Sequence, residues 1–159
     1  MAMVLMSQAF VDGGAIPTRY TCEGEDCSPP LSWAGLPEGT ASLVLIIDDP
    51  DAPDPAAPRM VWNHWILYNL PPTADLVAGA ATSGLPPGVG EGINSWGRIG
   101  YGGPCPPIGC HRYFHCLYAL DVILPSELGT PTRDELLIAM EDHIIGRTEL
   151  VGTYEKASI

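Results

Sequence analysis

The chemistry open to this chain is concentrated in a few side chains. His111, Arg112 and Tyr113 follow a loop built from glycine and proline, Gly100-Tyr101-Gly102-Gly103-Pro104-Cys105-Pro106-Pro107, with Gly109 just after it. The prolines lack N–H donors and exclude helix there. The glycines let a ligand approach the backbone closely. A stiff backbone cup beside a titratable imidazole suits a small anion; the plainer reading is a proline-rich surface turn. A second histidine, His64, stands in the aromatic stretch Trp62-Asn63-His64-Trp65, either as a hydrogen-bonded core residue or as a ligand-binder. Four carboxylates, Asp48, Asp49, Asp51 and Asp54, crowd into the seven residues 48–54. They form a solvated acidic turn, or one of them points inward to fix a histidine or a bound cationic group. The glycine and closing glutamate of an EF-hand calcium loop are missing.

Cys105, Cys110, His111, His115 and Cys116 carry zinc-type donors. The Cys105/Cys110 spacing is wide for a zinc knuckle. Cys110 and His111 also point to opposite faces of a strand, so no metal site is assigned. No Gly-x-Ser-x-Gly elbow is present. The chain is read as a binding protein with no cofactor, not as an enzyme. Among the five cysteines, Cys22/Cys27 and Cys105/Cys110 could each close a small loop, as thiols or as disulfides.

These side chains need elements to hold them. Ser42–Ile47 is a nearly continuous apolar run rich in branched residues, which predicts a strand buried on both faces and ended by the aspartates. Residues 62–70 predict a second strand, with Trp62, His64 and Ile66 on one face and Asn63, Trp65 and Leu67 on the other. Residues 113–121 predict a second central strand, and 148–154 a short last one. The segment 73–92 reads as a long crossing loop or short strands. Thr132-Arg133-Asp134-Glu135 is a capping box, opening a helix over about 132–145 with Leu136, Leu137, Met140 and Ile144 on one stripe.

Composition narrows the partners. The 159 residues suit one domain, 1–159, and the 18 glycines and 17 prolines favour strands joined by turns. Seven Lys and Arg against 19 Asp and Glu leave a net charge of −12, which argues against nucleic acid and anionic membrane surfaces. No segment has the length of a membrane span. The N-terminus lacks the basic residues and the apolar length of a signal peptide, so the expected compartment is the cytoplasm.

Asp49-Pro50-Asp51-Ala52-Pro53, Trp62-Asn63-His64-Trp65, the Gly100–Pro107 run and His111-Arg112-Tyr113 together resemble the phosphatidylethanolamine-binding protein family. This is also called the Raf kinase inhibitor-like family, and the flanking Tyr20–Gly24 and Ser28–Trp33 look like its bacterial and archaeal branch. The resemblance covers nearly the whole chain. It implies a mainly β fold, an antiparallel β-sandwich with the one helix above and short helices, and a small anion pocket at one end. The implied ligand-binding residues are Asp49, Asp51, Pro53, His64, Gly103, Pro104, His111 and Tyr113. Both histidines, the Gly103 N–H and the Tyr113 hydroxyl would donate to a phosphate or phosphoethanolamine headgroup, with Asp49 orienting a histidine or accepting from an ammonium. Cis peptides are implied at Ala52–Pro53 and Met60–Val61. With a histidine reference pKa of ~6.5, anion affinity is expected to weaken between roughly pH 5.5 and 7.5. The implied role is regulatory; the alternative is a protein inhibitor of a serine protease or kinase acting through loops around the pocket. A homodimer is implied too. His115 and Cys116 depart from the family pattern, and no counterpart of the flanking C-terminal helix of mammalian relatives is expected after Tyr154.

Overall fold

The computed structural model describes residues 2–157. Its centre is β3 (Ser42–Ala52), in which Leu43 to Ile47 are each at most 2% exposed. Such a run forms a strand because its branched side chains fit a pleated surface and need cover on both sides. β4 (Met60–Leu70) and β6 (His111–Leu120) flank it. β5 (Gly90–Glu91) and β7 (Ile144–Tyr154) complete a five-stranded antiparallel sheet in the order β5-β4-β3-β6-β7. β1 (Val4–Met6) and β2 (Ser32–Ala34) pair as a separate antiparallel ribbon. The molecule is therefore mainly β with two antiparallel sheets, the second a narrow one.

Each face of β3 has its own core. Leu43, Leu45 and Ile47 pack with Trp65, Leu67, Tyr113 and Leu117, and Leu5 of β1 lies in the same cluster. Val44 and Ile46 pack with Ile66 and Tyr68, and with Leu136 and Met140 of the helix α2 (Arg133–Met140). Each buried aliphatic side chain contributes roughly 2 kcal/mol.

Several boundaries differ from expectation. α2 begins at its capping box, where Thr132 accepts from the Glu135 N–H and Glu135 from the Thr132 N–H, but ends at Met140 rather than 145. The branched residues Ile144 and Ile145 join β7, where Ile144 pairs with Leu120. A four-residue helix, α1 (Ala80–Ser83), interrupts the crossing segment. β3 runs on through the aspartates to Ala52 because their charges are matched. Asp48 receives Arg133 and Asn63, Asp49 meets His111, and Asp51 receives Arg112. Asp54, past the strand, serves a turn by accepting from the Ala56 N–H. Ala52–Pro53 is the one cis peptide among the described residues, so Met60–Val61 is trans. Cys22 bonds to Cys105, with Cα atoms 5.4 Å apart, while Cys27, Cys110 and Cys116 are free. The local pairings fail because the Gly100–Pro107 loop lies against residues 20–26: the Cys22 N–H donates to the Pro104 carbonyl and the Tyr101 hydroxyl to the Tyr20 carbonyl.

Candidate ligand-binding cavity

The phase of β4 decides what His64 faces. Ile47 pairs with Trp65, but the next residue, Asp48, pairs with Asn63. His64 is the extra residue of a β-bulge, a feature that bends a strand and re-aims side chains. Strict alternation would put His64 with Ile66, over α2. The bulge instead puts it on the side of Trp65 and Tyr113, together with Trp62, while Asn63 turns to Asp48 and the helix side. The alternation predicted for β4 is thus broken at this one position.

A cavity of about 420 Å³ opens at this end of the sheet. Strands supply Asp49, Trp62, His64, His111 and Tyr113 to its lining, and Pro53 adds to one wall. Loops close it with Trp96, Cys105, Pro106 and Pro107. Asp49, His64, His111 and Tyr113 are all at most 3% exposed.

His64 is held by one glycine. The Gly102 N–H donates to the His64 carbonyl, and His64 Nδ1 lies 2.7 Å from the Gly102 carbonyl. A carbonyl only accepts, so Nδ1 carries the proton and Nε2 is left as a bare acceptor. A Cβ on Gly102 would strike the Trp96 ring, so glycine is what lets Trp96 lie edge-on to His64 with centroids 5.0 Å apart. Burial pushes the His64 pKa down to about 4.

His111 is differently placed. Its Nε2 donates to the Ile108 carbonyl at 2.8 Å, and its Nδ1 lies 2.6 Å from Asp49 Oδ2. One proton is shared in that contact, and the pair is neutral overall whichever partner holds it. Burial holds the Asp49 carboxyl above its ordinary value, with the His111 hydrogen bond acting against it. Both His111 nitrogens are thus engaged within the protein. Tyr113 stacks near His111 and meets His64 edge to face at 5.2 Å. Burial raises its hydroxyl pKa, so it stays protonated. Among the described residues, three buried side-chain atoms have no hydrogen-bond partner in the protein: His64 Nε2, the Tyr113 hydroxyl and Asn63 Oδ1. The first two belong to residues of this cavity. A cleft of about 460 Å³ beside Tyr20, Leu31 and Leu76 has none.

Five of the eight residues expected at the site, Asp49, Pro53, His64, His111 and Tyr113, come together around the cavity. Asp51 points elsewhere: its carboxylate takes the Arg112 guanidinium through Nε and Nη2, at 2.9 and 2.8 Å, which lowers its pKa. The Gly103 N–H donates to Asp26 at 2.8 Å, and a Cβ there would collide with Asp26 and the Tyr20 carbonyl. Pro104 offers its carbonyl to Cys22 and is not part of the lining. Trp62 and Trp96 were not anticipated as cavity residues. Trp62 lies two residues before His64 on the same strand, a period-two signal; nothing local marks Trp96. His115 is a core histidine: it faces Phe10, its Nδ1 bonds to the Tyr113 and Leu150 carbonyls, and burial lowers its pKa to about 4. No three His, Cys, Asp or Glu residues among those described converge as a metal site.

The sequence profile of the phosphatidylethanolamine-binding protein family matches residues 6–155. The chain belongs to that family. A UPF0098 protein of Methanothermobacter thermautotrophicus is 49% identical over 97% of this chain and 99% of its own length. The crystal structure of a family homologue from Chlamydia trachomatis superposes with a TM-score of 0.89 at 47% identity, covering 98% of this chain and 99% of that one. Escherichia coli YbcL, described as a member of the mammalian family, gives a TM-score of 0.86 at 30% identity, over 99% and 100% of the two chains. Among the described residues no helix is long and apolar enough to cross a membrane.

Proposed function

We propose that the cavity binds a small phosphate-type oxyanion or headgroup without turning it over, in a regulatory role. One observation carries this reading: two buried polar atoms without protein partners, His64 Nε2 and the Tyr113 hydroxyl, belong to touching rings of the same cavity. An unpartnered buried polar atom costs roughly 1–3 kcal/mol, and a ligand that pairs both recovers that cost. Pro53, Pro106 and Pro107 give the site stiff walls. The apolar faces of Trp62 and Trp96 suit the short carbon part of a headgroup such as phosphoethanolamine.

The test is an NMR titration of the labelled protein with phosphoethanolamine. Saturable shifts centred on His64, Trp96 and Tyr113 are expected. Shifts confined to other regions, or none at millimolar ligand, would overturn the reading. Isothermal calorimetry with Tyr113→Phe gives a second measure, with affinity expected to fall about tenfold for the lost hydrogen bond.

A further inference from the structure

The geometry points to a second ligand site, on the opposite face of the five-stranded sheet at the start of α2. It takes a small carboxylate that carries a hydrogen-bond donor on its α-carbon, an α-hydroxy or α-amino acid. The lining of this site and that of the cavity beside His64 share no residue.

A cleft of about 400 Å³ lies between the start of β4, the segment 93–95 and the first turn of α2. Asn63 lines it and is only 2% exposed. Three acceptors around Nδ2 fix the amide: the Asp48 carboxylate at 3.0 Å, and the Ile47 and Trp65 carbonyls at 3.3 and 3.5 Å. A flipped amide would set its oxygen against those same oxygens. Oδ1 therefore keeps the other corner, turned to the cleft, where it has no partner in the protein. A bare buried amide oxygen costs roughly 1–3 kcal/mol, which a donor on a ligand recovers. A fully deprotonated oxyanion cannot supply that donor, because it only accepts.

The rest of the cleft donates. α2 has eight residues, and the N–H groups of its first two, Arg133 and Asp134, have no intrahelical acceptor. The Thr132 hydroxyl is spent on the Glu135 N–H. Arg133 gives Nε to Asp48, and its side chain is still 35% exposed, which leaves the Nη groups for a ligand. Ser95 Oγ accepts from the Asn63 N–H and keeps its own proton to donate. Asp48 and Asp134 stand 2.9 and 3.9 Å from guanidinium nitrogens and offset much of the charge. A doubly charged phosphate is disfavoured there, and a singly charged carboxylate fits. An α-hydroxyl or α-ammonium group lies two bonds from the carboxylate carbon. It donates to Asn63 Oδ1 while the carboxylate meets the α2 N–H groups and Arg133. Val61 and Ile93 offer an apolar wall to a short branched side chain.

An NMR titration of the labelled intact protein with 2-hydroxyisovalerate, valine and isovalerate tests this. The first carries a hydroxyl donor, the second an ammonium donor, and the third none. Saturable shifts are expected with either of the first two, centred on the Arg133 and Asp134 N–H groups and the Asn63 side-chain amide. The tighter of the two identifies the donor. Isovalerate should bind about tenfold more weakly, because Asn63 Oδ1 stays unmatched. Equal binding of isovalerate overturns the inference. So does the absence of shifts at these groups with all three at millimolar ligand, the cleft then holding water only. Shifts at His64 and Tyr113 instead overturn it too, and none of these results bears on phosphoethanolamine binding beside His64. Arg133→Lys keeps a charge beside Asp48 but loses the fork that serves Asp48 and the ligand together, so affinity should fall about five- to tenfold. Unchanged affinity in that folded variant overturns the role given to Arg133.

Discussion

The cavity has two halves built in different ways. Asp49, His64, His111 and Tyr113 stand on neighbouring strands, and their spacing is dictated by ladder hydrogen bonds and by the cores above and below β3. Trp96, Cys105, Pro106 and Pro107 come from connecting segments. Their positions depend on ties to distant chain: the Cys22–Cys105 bond, the Asp26 contact with Gly103 and the Gly102–His64 pair. The first half is rigid because the whole sheet must deform to change it. The second is only as rigid as a handful of named bonds. The buried polar groups sit on the first half, and the covering surface sits on the second.

The largest expected effect strikes the strand half. Asp49→Ala leaves the buried His111 Nδ1 without its partner, which should cost about 3–5 kcal/mol in urea denaturation. A loss below about 1 kcal/mol would show that the sheet tolerates an unpaired imidazole there. Next comes the loop half. Reducing the Cys22–Cys105 bond, which spans a sequence separation of 83, should lower stability by ~2–4 kcal/mol through the freed unfolded chain. Amide exchange should speed up in residues 100–107 well before it does in β3. Uniform acceleration in both would erase the distinction drawn between the halves.

A smaller effect separates two neighbouring carboxylates. Arg112 lowers the folded pKa of Asp51, so this pair's stabilisation is present above the unfolded value of ~3.9 and disappears as pH falls through the lower folded one. Because the Arg112 side chain is half exposed, Asp51→Asn should cost only about 1 kcal/mol at neutral pH and flatten the acid limb of the stability curve. Asp49 has the opposite sign: its raised pKa favours the folded state at lower pH, and that advantage fades as pH rises through the folded value. Smallest of all, Tyr113→Phe removes a buried hydroxyl that has no partner in the protein. Thermal denaturation of the ligand-free protein should show no loss, or a gain of up to about 1 kcal/mol. A clear loss would mean that the hydroxyl is satisfied by the fold and not reserved for a ligand.

The same division explains how far the sequence could be read. Apolar runs and period-two alternation revealed β3, β4 and β6, because those patterns are local, but of the four polar residues only His64 and Tyr113 fell within the predicted bounds; Asp49 and His111 lay just beyond them. The capping box found the start of α2 for the same reason. What escaped depended on pairing across the chain. The bulge that re-aims His64 is an offset between β3 and β4 and is invisible in either alone. The aspartates read as a strand terminator because Arg112, Arg133 and His111, which match their charges, lie 61, 85 and 62 residues away. The family resemblance implied Gly103 and Pro104 as ligand contacts, whereas in the structure they are engaged by the packing of residues 20–26 against that loop.

The Gly102 clamp has a further consequence for motion. Rotating the His64 ring by half a turn would break Nδ1 from its carbonyl and leave the loop attached to β4 there by the Gly102 N–H alone. Reorienting the imidazole would therefore loosen the loop at this one point, while the Ser95–Asn63 hydrogen bonds and the Cys22–Cys105 bond still hold the cover. For a ligand bound as proposed, the glycine tether would steady the orientation of the imidazole while the mouth stays open.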